Sequence, residues 1–251
     1  MRLLSYNIRR GGRDREKQIA AVIMAADPDI VVLQEATYRS VVETVAGLCD
    51  MENWDAADGV SLGFMSRISI ADYRWQKPRS VRRAFLEIRP DGTELSIFGI
   101  HLTATHSNLT ERVRLRELRS ILDSIDQREI RPHLLVGDFN TLAPGELLEL
   151  SKLPPRLRFT AWATGGRVRY KTIRTVLENG YVDGFRNLHT DPGFTFPTWD
   201  PHVRLDFIFV PEKYSAAIRF CSVFRDSGMI NEASDHFPLE AEIEFGSEPS
   251  R

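Results

Sequence analysis

The chain has 251 residues, of which 42% are hydrophobic and 27% are charged, a composition typical of a globular protein with a substantial core. The net charge is −2 and the isoelectric point is about 6.3. This balance argues against tight, sequence-independent binding to long DNA, which usually needs a strongly basic surface, but it leaves open a nuclease that engages only a few phosphates.

The two cysteines, Cys49 and Cys221, are far apart and show no metal-ligand spacing, so we expect two buried thiols rather than a disulfide. The first seven residues lack the long apolar core of a signal peptide, and no apolar run is long enough to span a bilayer. We therefore expect a cytoplasmic protein without a membrane span.

The amino-terminal part of the chain predicts strands alternating with helices, followed by a run of strands. Apolar segments predict strands over residues 2–8 and 30–35, and helical spacing predicts helices over 14–26 and 38–49. Residues 53–100 form the run of strands, with candidates at 63–66, 68–75, 81–89 and 94–100. Pro90-Asp91-Gly92-Thr93 is the expected hairpin turn between the last two.

The remainder of the chain again mixes helices and strands. We predict helices from 108 or 110 to 125, over 144–150 and over 170–177, with an irregular segment over 154–166 and a short element from 180. Further strands are expected at 133–136, 205–210, 217–224 and 238–245, and a loop at 190–203. Strands outnumber helices and many adjoin by hairpins, which favours one α+β or mixed sandwich domain over residues 1–246 with a tail at 247–251.

The strand predicted at 133–136 continues into Gly137-Asp138-Phe139-Asn140. Glycine permits a tight exit from the strand, and side chains two residues apart point the same way in an extended backbone. A carboxylate and an amide side by side suit a water molecule and a phosphate beside a hard metal ion.

Other predicted strands also end in polar residues, and such ends can converge at one rim of a sheet core. Together these positions are Asn7, Glu35, His101, Asp138, Asn140, Asp206, Asp235 and His236. Most of them, taken singly, have a structural explanation as turn caps or solvated side chains. Asp206 lies between Leu205 and Phe207 and would need a partner if buried.

This set predicts phosphoester chemistry rather than zinc or acyl chemistry. Carboxylate and amide oxygens suit Mg²⁺ or Mn²⁺, whereas a zinc site would need clustered Cys or His ligands. No serine lies in a Gly-x-Ser-x-Gly context, so water is the expected nucleophile.

Six short motifs in order resemble the endonuclease/exonuclease/phosphatase (DNase I-like) superfamily. They are Ser5-Tyr6-Asn7, Leu33-Gln34-Glu35, Gly99-Ile100-His101-Leu102, Gly137-Asp138-Phe139-Asn140, Arg204-Leu205-Asp206-Phe207-Ile208 and Ser234-Asp235-His236. The resemblance implies a four-layer α/β/β/α sandwich, in which two mixed β-sheets pack face to face with helices outside.

The resemblance also implies a role for each matching residue in metal-assisted hydrolysis of a phosphoester. Glu35 would be the principal metal ligand, with Asn7 and Asp235 beside the ion. Asp138 would position or activate the attacking water, and Asn140 would bind the phosphate and orient Asp138. The remaining roles are phosphate contact for His101 and His236, and support of His236 by Asp206.

One position departs from the family pattern, because Arg82 or Arg83 stands where some nuclease members have an acid that pairs with the histidine at position 101. The arginines are either solvated or an added phosphate clamp. In the loop at 190–203, Trp199 and His202 are either core residues or part of a substrate mouth that stacks on a base or sugar. Arg10, just after Asn7, is either solvated or a phosphate contact.

We therefore expect a Mg²⁺- or Mn²⁺-dependent enzyme that hydrolyses a phosphodiester in nucleic acid or a small phosphorylated molecule and acts as a monomer. The first alternative is a phosphomonoesterase acting on a sugar or inositol-type phosphate. The second is an inactive module that binds a phosphorylated ligand.

Overall fold

Two six-stranded mixed β-sheets form the centre of the computed structural model, which describes residues 1–78, 81, 83–104, 108–126, 131–146 and 170–245. The strands are β1 (Arg2–Asn7), β2 (Ile30–Gln34), β3 (Asn53–Ala56), β4 (Leu62–Ser66), β5 (Ile70–Gln76), β6 (Phe85–Pro90), β7 (Ser96–His101), β8 (His133–Asp138), β9 (Tyr181–Asp183), β10 (Asp206–Pro211), β11 (Ile218–Val223) and β12 (Leu239–Ile243). The first sheet has the order β11-β12-β1-β2-β4-β3, and the second has the order β5-β6-β7-β8-β10-β9.

Helices cover the outer faces of both sheets. They are α1 (Glu16–Ala26), α2 (Arg39–Leu48), α3 (Asn108–Asp126), α4 (Lys171–Glu178), α5 (Gly184–Leu188) and α6 (Ile230–Ala233), with 3₁₀ turns at Arg10–Gly12 and Glu212–Ala217. The apolar stripes of α1 and α2 pack with the first sheet, and α3 packs with the second through Leu118 and Ile121. The expected four-layer α/β/β/α sandwich is confirmed.

The central strands of the second sheet, β6, β7, β8 and β10, are buried on both faces, which explains their largely apolar sequences. In β8, Leu134 and Val136 pack in the same apolar cluster as the first sheet, whereas Leu135 packs with α3. In β10, Ile208 and Phe209 divide between the two clusters in the same way. The alternation follows from the two-residue period of a strand.

The strand directions bring the predicted polar residues to one edge of the sandwich. β1 runs parallel to β2, and β7 runs parallel to β8, so these four strands end together. His101 and Asp138 are register partners, and Asp206, the first residue of antiparallel β10, also lies opposite Asp138.

Most predicted strand and helix limits agree with the structure within two residues, but the strand predicted over 81–89 is wrong at its start and begins at Phe85. Arg83 therefore lies in the loop before β6, not in a strand. Residues 144 and 145 form a turn and residue 146 is not helical, so the helix predicted over 144–150 does not begin where expected. Residues 147–150 lie outside the described residues, together with Arg82, the irregular segment over 154–166 and the tail at 247–251. In the described part of the chain, no helix combines the length and apolarity needed to cross a membrane.

Candidate active site

The predicted polar residues from both sheets meet at this edge of the sandwich. Asn7 ends β1 in the first sheet, and its side-chain Nδ2 donates to Asp138 Oδ2 at the end of β8 in the second sheet, over 3.0 Å. Glu35 directly follows β2, and its Oε1 lies 3.4 Å from the same Asn7 Nδ2. Asn7 thus joins a carboxylate of each sheet.

The Asp138 carboxylate is held by amide groups on several sides. Besides the Asn7 contact, Oδ1 accepts from the backbone N–H of Asn140 at 2.8 Å, and Oδ2 accepts from Asn140 Nδ2 at 3.0 Å. Asn140 Nδ2 also donates to the Leu102 carbonyl at 3.1 Å, which fixes the amide plane. Burial and the nearby Asp206 carboxylate raise the pKa of Asp138 to about 7, against the opposing effect of His236.

His236 precedes β12 of the first sheet and is bound to a buried carboxylate on β10 of the second sheet. Its Nδ1 lies 2.9 Å from Asp206 Oδ2, and its Nε2 lies 4.0 Å from Asp138 Oδ2. Burial alone would lower the pKa of His236, but the Asp206 charge and hydrogen bond, with help from Asp138 and Asp235, raise it to about 10. The imidazole is therefore held in its charged form at neutral pH, as the predicted supporting role of Asp206 requires.

His101 lies on the other side of Asp138 and has a different partner. Its Nε2 is 3.9 Å from Asp138 Oδ2, and its Nδ1 is 3.0 Å from Nη1 of Arg83. Burial, the charge of Arg83 and the charge of His236 hold the pKa of His101 well below its usual range. Two histidines thus lie near the same carboxylate oxygen, and His236 is charged whereas His101 is uncharged.

The predicted metal-binding residues lie around the end of β1. Glu35 Oε2 accepts from the backbone N–H of Arg10, and Asn7 Oδ1 accepts from the backbone N–H of Arg9 at 2.9 Å. Asp235 forms an ion pair with Arg9 Nε at 3.3 Å. The structure thus brings Glu35 and Asn7 into contact, whereas Asp235 contacts the Arg9 side chain.

Backbone strain is concentrated around these groups. Arg9, Arg10, Glu35 and Asn140 adopt φ values of 52°, 48°, 56° and 52°, which non-glycine residues rarely occupy. Such conformations cost free energy and are found mainly where surrounding contacts enforce them, often at functional sites. Gly137 supplies the tight exit expected before Asp138, since a Cβ there would lie 1.9 Å from the Ile100 carbonyl oxygen.

Two sets of side chains could be considered for a metal ion. Asp138, Asp206 and His236 present ligand atoms within 4.8 Å of one another. However, His236 Nδ1 is bound to Asp206, and a protonated imidazole offers no lone pair to a metal. Glu35, Asn7 and Asp235 instead offer only oxygen ligands, which fit a hard divalent cation.

The predicted substrate residues differ in exposure. Trp199 is 63% exposed and lies beside Phe196, whose ring centroid is 4.8 Å from that of His236, so Trp199 borders the site. Phe196 packs against a small apolar cluster, consistent with its expected core role. His202 is buried, with Nδ1 on the Asp200 carbonyl at 2.5 Å, and does not line an open mouth. Arg10 is exposed at the rim.

Two hydroxyl groups that the sequence analysis assigned no role hold the site together. Ser234 Oγ donates to the Asn7 carbonyl at 2.6 Å and accepts from the His236 backbone N–H at 3.2 Å. Thr195 Oγ1 accepts from the backbone N–H of Leu205 at 3.1 Å. Ser234 stands in one of the six motifs but without an assigned role, and Thr195 lies in a loop where a threonine is too common to signal one.

Solved structures resemble the whole chain. An archaeal AP endonuclease from Archaeoglobus fulgidus aligns with a TM-score of 0.73 and 17% identity over 98% of this chain and 100% of its own. A 3′ phosphatase NExo variant from Neisseria, bound to product DNA hairpin, aligns with a TM-score of 0.72 and 18% identity over 98% of this chain and 100% of its own. An endonuclease/exonuclease/phosphatase from Beutenbergia cavernae aligns with a TM-score of 0.70 and 21% identity over 100% of this chain and 73% of its own.

These identities support a shared fold, and no curated protein sequence gives a significant match. Family membership rests on the sequence itself, because residues 4–236 match the profile described as Endonuclease/Exonuclease/phosphatase family. That range contains every predicted catalytic and metal-binding residue. The chain therefore belongs to the endonuclease/exonuclease/phosphatase family and is a metal-dependent phosphoester hydrolase.

Proposed function

We propose that the protein hydrolyses a phosphodiester by attack of a water molecule that Asp138 orients and deprotonates. The observation that carries this proposal is the arrangement around Asp138 Oδ2. Two amide side chains hold this oxygen at 3.0 Å each, and the Nε2 atoms of His101 and His236 lie 3.9 and 4.0 Å away. Those gaps are too long for hydrogen bonds, so both imidazoles remain available to a phosphoryl oxygen.

The environment of Asp138 suits a general base. A base works best when its pKa lies near the working pH, and burial with the Asp206 charge raises the pKa of Asp138 to about 7. The Asn7 and Asn140 contacts fix the carboxylate plane before substrate binds. A fixed carboxylate needs little reorganisation when it accepts the proton of the attacking water.

The charged His236 is placed to stabilise the negative charge that develops on the phosphoryl oxygens. Asp206 holds its Nδ1, which leaves the Nε2–H directed towards the Asp138 side of the site. Asn140, beside the same carboxylate, would contribute its amide to both phosphate binding and Asp138 orientation. Preorganised donors of this kind commonly contribute about 10²–10³-fold each to rate.

We assign metal binding to Glu35, Asn7 and Asp235, with Mg²⁺ or Mn²⁺ as the ion. When bound, a divalent ion at this position supplies polarisation of a phosphoryl oxygen and stabilisation of the leaving oxygen. The support for this assignment is the all-oxygen donor set and the strained Glu35 backbone that presents its carboxylate at the end of β2. Asp138 would orient the attacking water, and His236 would donate a hydrogen bond to the phosphate.

We propose nucleic acid or a small phosphorylated molecule as the substrate, with Trp199 and Arg10 at the substrate side of the site. The exposed indole of Trp199 offers a stacking surface for a base or sugar. The structural relatives include a 3′ phosphatase bound to DNA and an AP endonuclease, which supports a nucleic-acid substrate and keeps phosphomonoester cleavage as the second candidate.

We also propose that residues 1–246 form one domain that acts as a monomer in the cytoplasm. The shared core of the two sheets supports a single folding unit. Cys49 and Cys221 are both buried free thiols, which is typical of a reducing compartment.

The test compares hydrolysis of bis-p-nitrophenyl phosphate with that of p-nitrophenyl phosphate. Each is measured with Mg²⁺, Mn²⁺ or EDTA for the wild type, Asp138→Asn and Asp123→Asn. Asp123 is exposed on α3 and provides a control for an Asp-to-Asn change away from the site. The proposal predicts cleavage of the diester, which EDTA should abolish. Asp138→Asn should reduce this activity by about 10²–10⁴-fold, and Asp123→Asn should leave it unchanged.

The alternatives give different results in the same experiment. Faster cleavage of the monoester would replace the diesterase proposal by the phosphomonoesterase. Turnover of neither compound, in a protein that binds metal in a calorimetric titration, would contradict the proposed substrate class. Activity of Asp138→Asn within severalfold of the wild type would contradict the role of Asp138.

A further inference from the structure

The loop before β6 places an arginine against the catalytic edge of the second sheet. Arg83 Nη1 lies 3.0 Å from His101 Nδ1, 3.4 Å from the His101 carbonyl oxygen and 3.4 Å from Ser61 Oγ. The guanidinium thus contacts both the ring and the backbone of the same histidine. Arg83 is partly buried in this position.

The chemistry of the two groups decides where the His101 proton lies. A guanidinium group has only N–H donors and no acceptor, so the imidazole nitrogen that it contacts must accept. Nδ1 therefore carries no proton, and the ring is uncharged with its proton on Nε2. The lowered pKa of His101, caused by burial, Arg83 and His236, agrees with this assignment.

The protonated nitrogen points into the site without a partner. His101 is 5% exposed, and within the described part of the chain its Nε2 has no hydrogen-bond partner. The nearest carboxylate oxygen, Asp138 Oδ2, is 3.9 Å away. A buried donor without a partner is unfavourable, so the geometry favours a ligand oxygen at this position.

We propose that Arg83 is a positioning residue that locks His101 in its uncharged, Nε2-protonated form, so that His101 donates a hydrogen bond to a phosphoryl oxygen. The inference rests on the phosphoesterase activity proposed above and refines the part that His101 plays in it. His236, which is paired with Asp206, then supplies the charged contact, and His101 supplies a neutral one. A carboxylate at position 83 would have the opposite effect, because it would accept a proton from Nδ1.

The tautomer can be read directly in the full-length protein without substrate. We would label the histidines with ¹⁵N and record long-range ¹H–¹⁵N correlations, which distinguish Nδ1–H from Nε2–H, with His101→Phe identifying the His101 signals. The wild type and Arg83→Lys should show Nε2–H, because both retain a donor at position 83. Arg83→Glu should move the proton to Nδ1, and Arg83→Met should give a mixture of tautomers.

Arg219→Met is the matched control, because it removes an exposed arginine from β11, in the other sheet. It should leave the His101 signals unchanged. An Nδ1–H form in the wild type would overturn the proposal. So would an unchanged tautomer in both Arg83→Glu and Arg83→Met, since two independent variants would then show that Arg83 does not set it.

Kinetics on bis-p-nitrophenyl phosphate separate positioning from direct substrate binding. Arg83→Glu removes the His101 donor, so its kcat should fall by about 10²-fold while its KM stays nearly unchanged. Arg83→Lys should retain most of the activity. In a double-mutant cycle, Arg83→Met should not lower kcat any further when His101 is already replaced by Phe. Independent, additive losses or an effect confined to KM would show that Arg83 contacts substrate directly and would overturn the proposal.

The two levels of inference can fail separately. A wild-type protein that shows the Nε2–H tautomer but hydrolyses neither a phosphodiester nor a phosphomonoester would contradict the proposed function and the phosphate contact of His101. The control of the tautomer by Arg83 would then stand on the spectra alone.

Discussion

Arg204, the first residue of the Arg-x-Asp motif, forms a buried ion cluster whose loss should strongly destabilise the fold. It is 1% exposed, and its guanidinium binds Asp183 through Nη1 at 3.0 Å and Nη2 at 2.6 Å, and Glu146 through Nε at 2.7 Å. The group also stacks over the Phe207 ring at 4.5 Å. Replacing Arg204 by Met keeps most of the apolar volume but leaves two carboxylates without their principal cation.

Breaking a buried pair by removing one partner typically costs about 3–5 kcal/mol, because the remaining charge is uncompensated. For a protein of about this size, each kcal/mol lowers Tm by about 2–4 °C. Arg204→Met should therefore melt about 6–20 °C below the wild type. Thermal unfolding followed by circular dichroism at pH 7 measures this difference.

Arg219→Met is the matched control, since Arg219 pairs with Glu244 on the surface at 3.0 Å and both side chains are more than half exposed. Exposed pairs contribute about 0–1 kcal/mol, so this variant should melt within a few degrees of the wild type. Equal losses of Tm in the two variants would refute the argument that burial makes the Arg204 cluster important.

A second substitution tests whether uncompensated charge is the cause. Asp183 also caps α5, because its Oδ1 accepts from the backbone N–H groups of Phe185 and Arg186. Asparagine retains capping ability without the charge. Asp183→Asn should therefore restore part of the Tm lost in Arg204→Met, whereas a further fall in Tm would assign the loss to packing instead.

Three further variants test the strand-end geometry, the histidine support and a buried histidine away from the site. Gly137→Ala would place a Cβ 1.9 Å from the Ile100 carbonyl oxygen, so β7 and β8 must separate, and both Tm and turnover should fall. Asp206→Asn removes the charge bound to His236 and should lower kcat by about 10²-fold without changing the Tm as much as Arg204→Met does. Burial lowers the pKa of His133, so the unfolded chain takes up a proton that the folded one refuses, and stability is lost as pH falls below about 6.5. Urea unfolding at pH 7 and pH 5 should show a smaller loss for His133→Gln than for the wild type, and equal losses would contradict the assignment.

The sequence predicted the central strands and their polar ends because burial on both faces leaves a clear record in composition. The continuous apolar run before Asp138 predicted a buried strand, and in the structure its side chains alternate between the two apolar clusters. The convergence of Asn7 and Asp138 from different sheets came from the family resemblance. Local periodicity alone carries no information about which strand ends meet.

Irregular segments were harder to interpret, because they lack a period that separates buried from exposed positions. The start of β6 was predicted four residues before Phe85, its first residue in the structure, and Arg83 lies in the loop that precedes it. In the loop at 190–203, Trp199 is exposed whereas His202 is buried, although both were candidates for the same role. Contacts such as that of Arg83 with His101 depend on loop paths and become visible only in three dimensions.

The two histidines at this edge show how residues outside direct substrate contact can set the chemistry of the site. His101 and His236 present the same atom, Nε2, at nearly the same distance from Asp138 Oδ2. Their charges differ because Arg83 donates to one Nδ1 and Asp206 accepts from the other. Arg83 lies in the loop before β6 and Asp206 begins β10, so a single substitution at either position should change the charge of one histidine while the strand scaffold stays in place. On the roles proposed for the two histidines, we therefore expect substitution at either position to change the preference between a phosphodiester and a phosphomonoester.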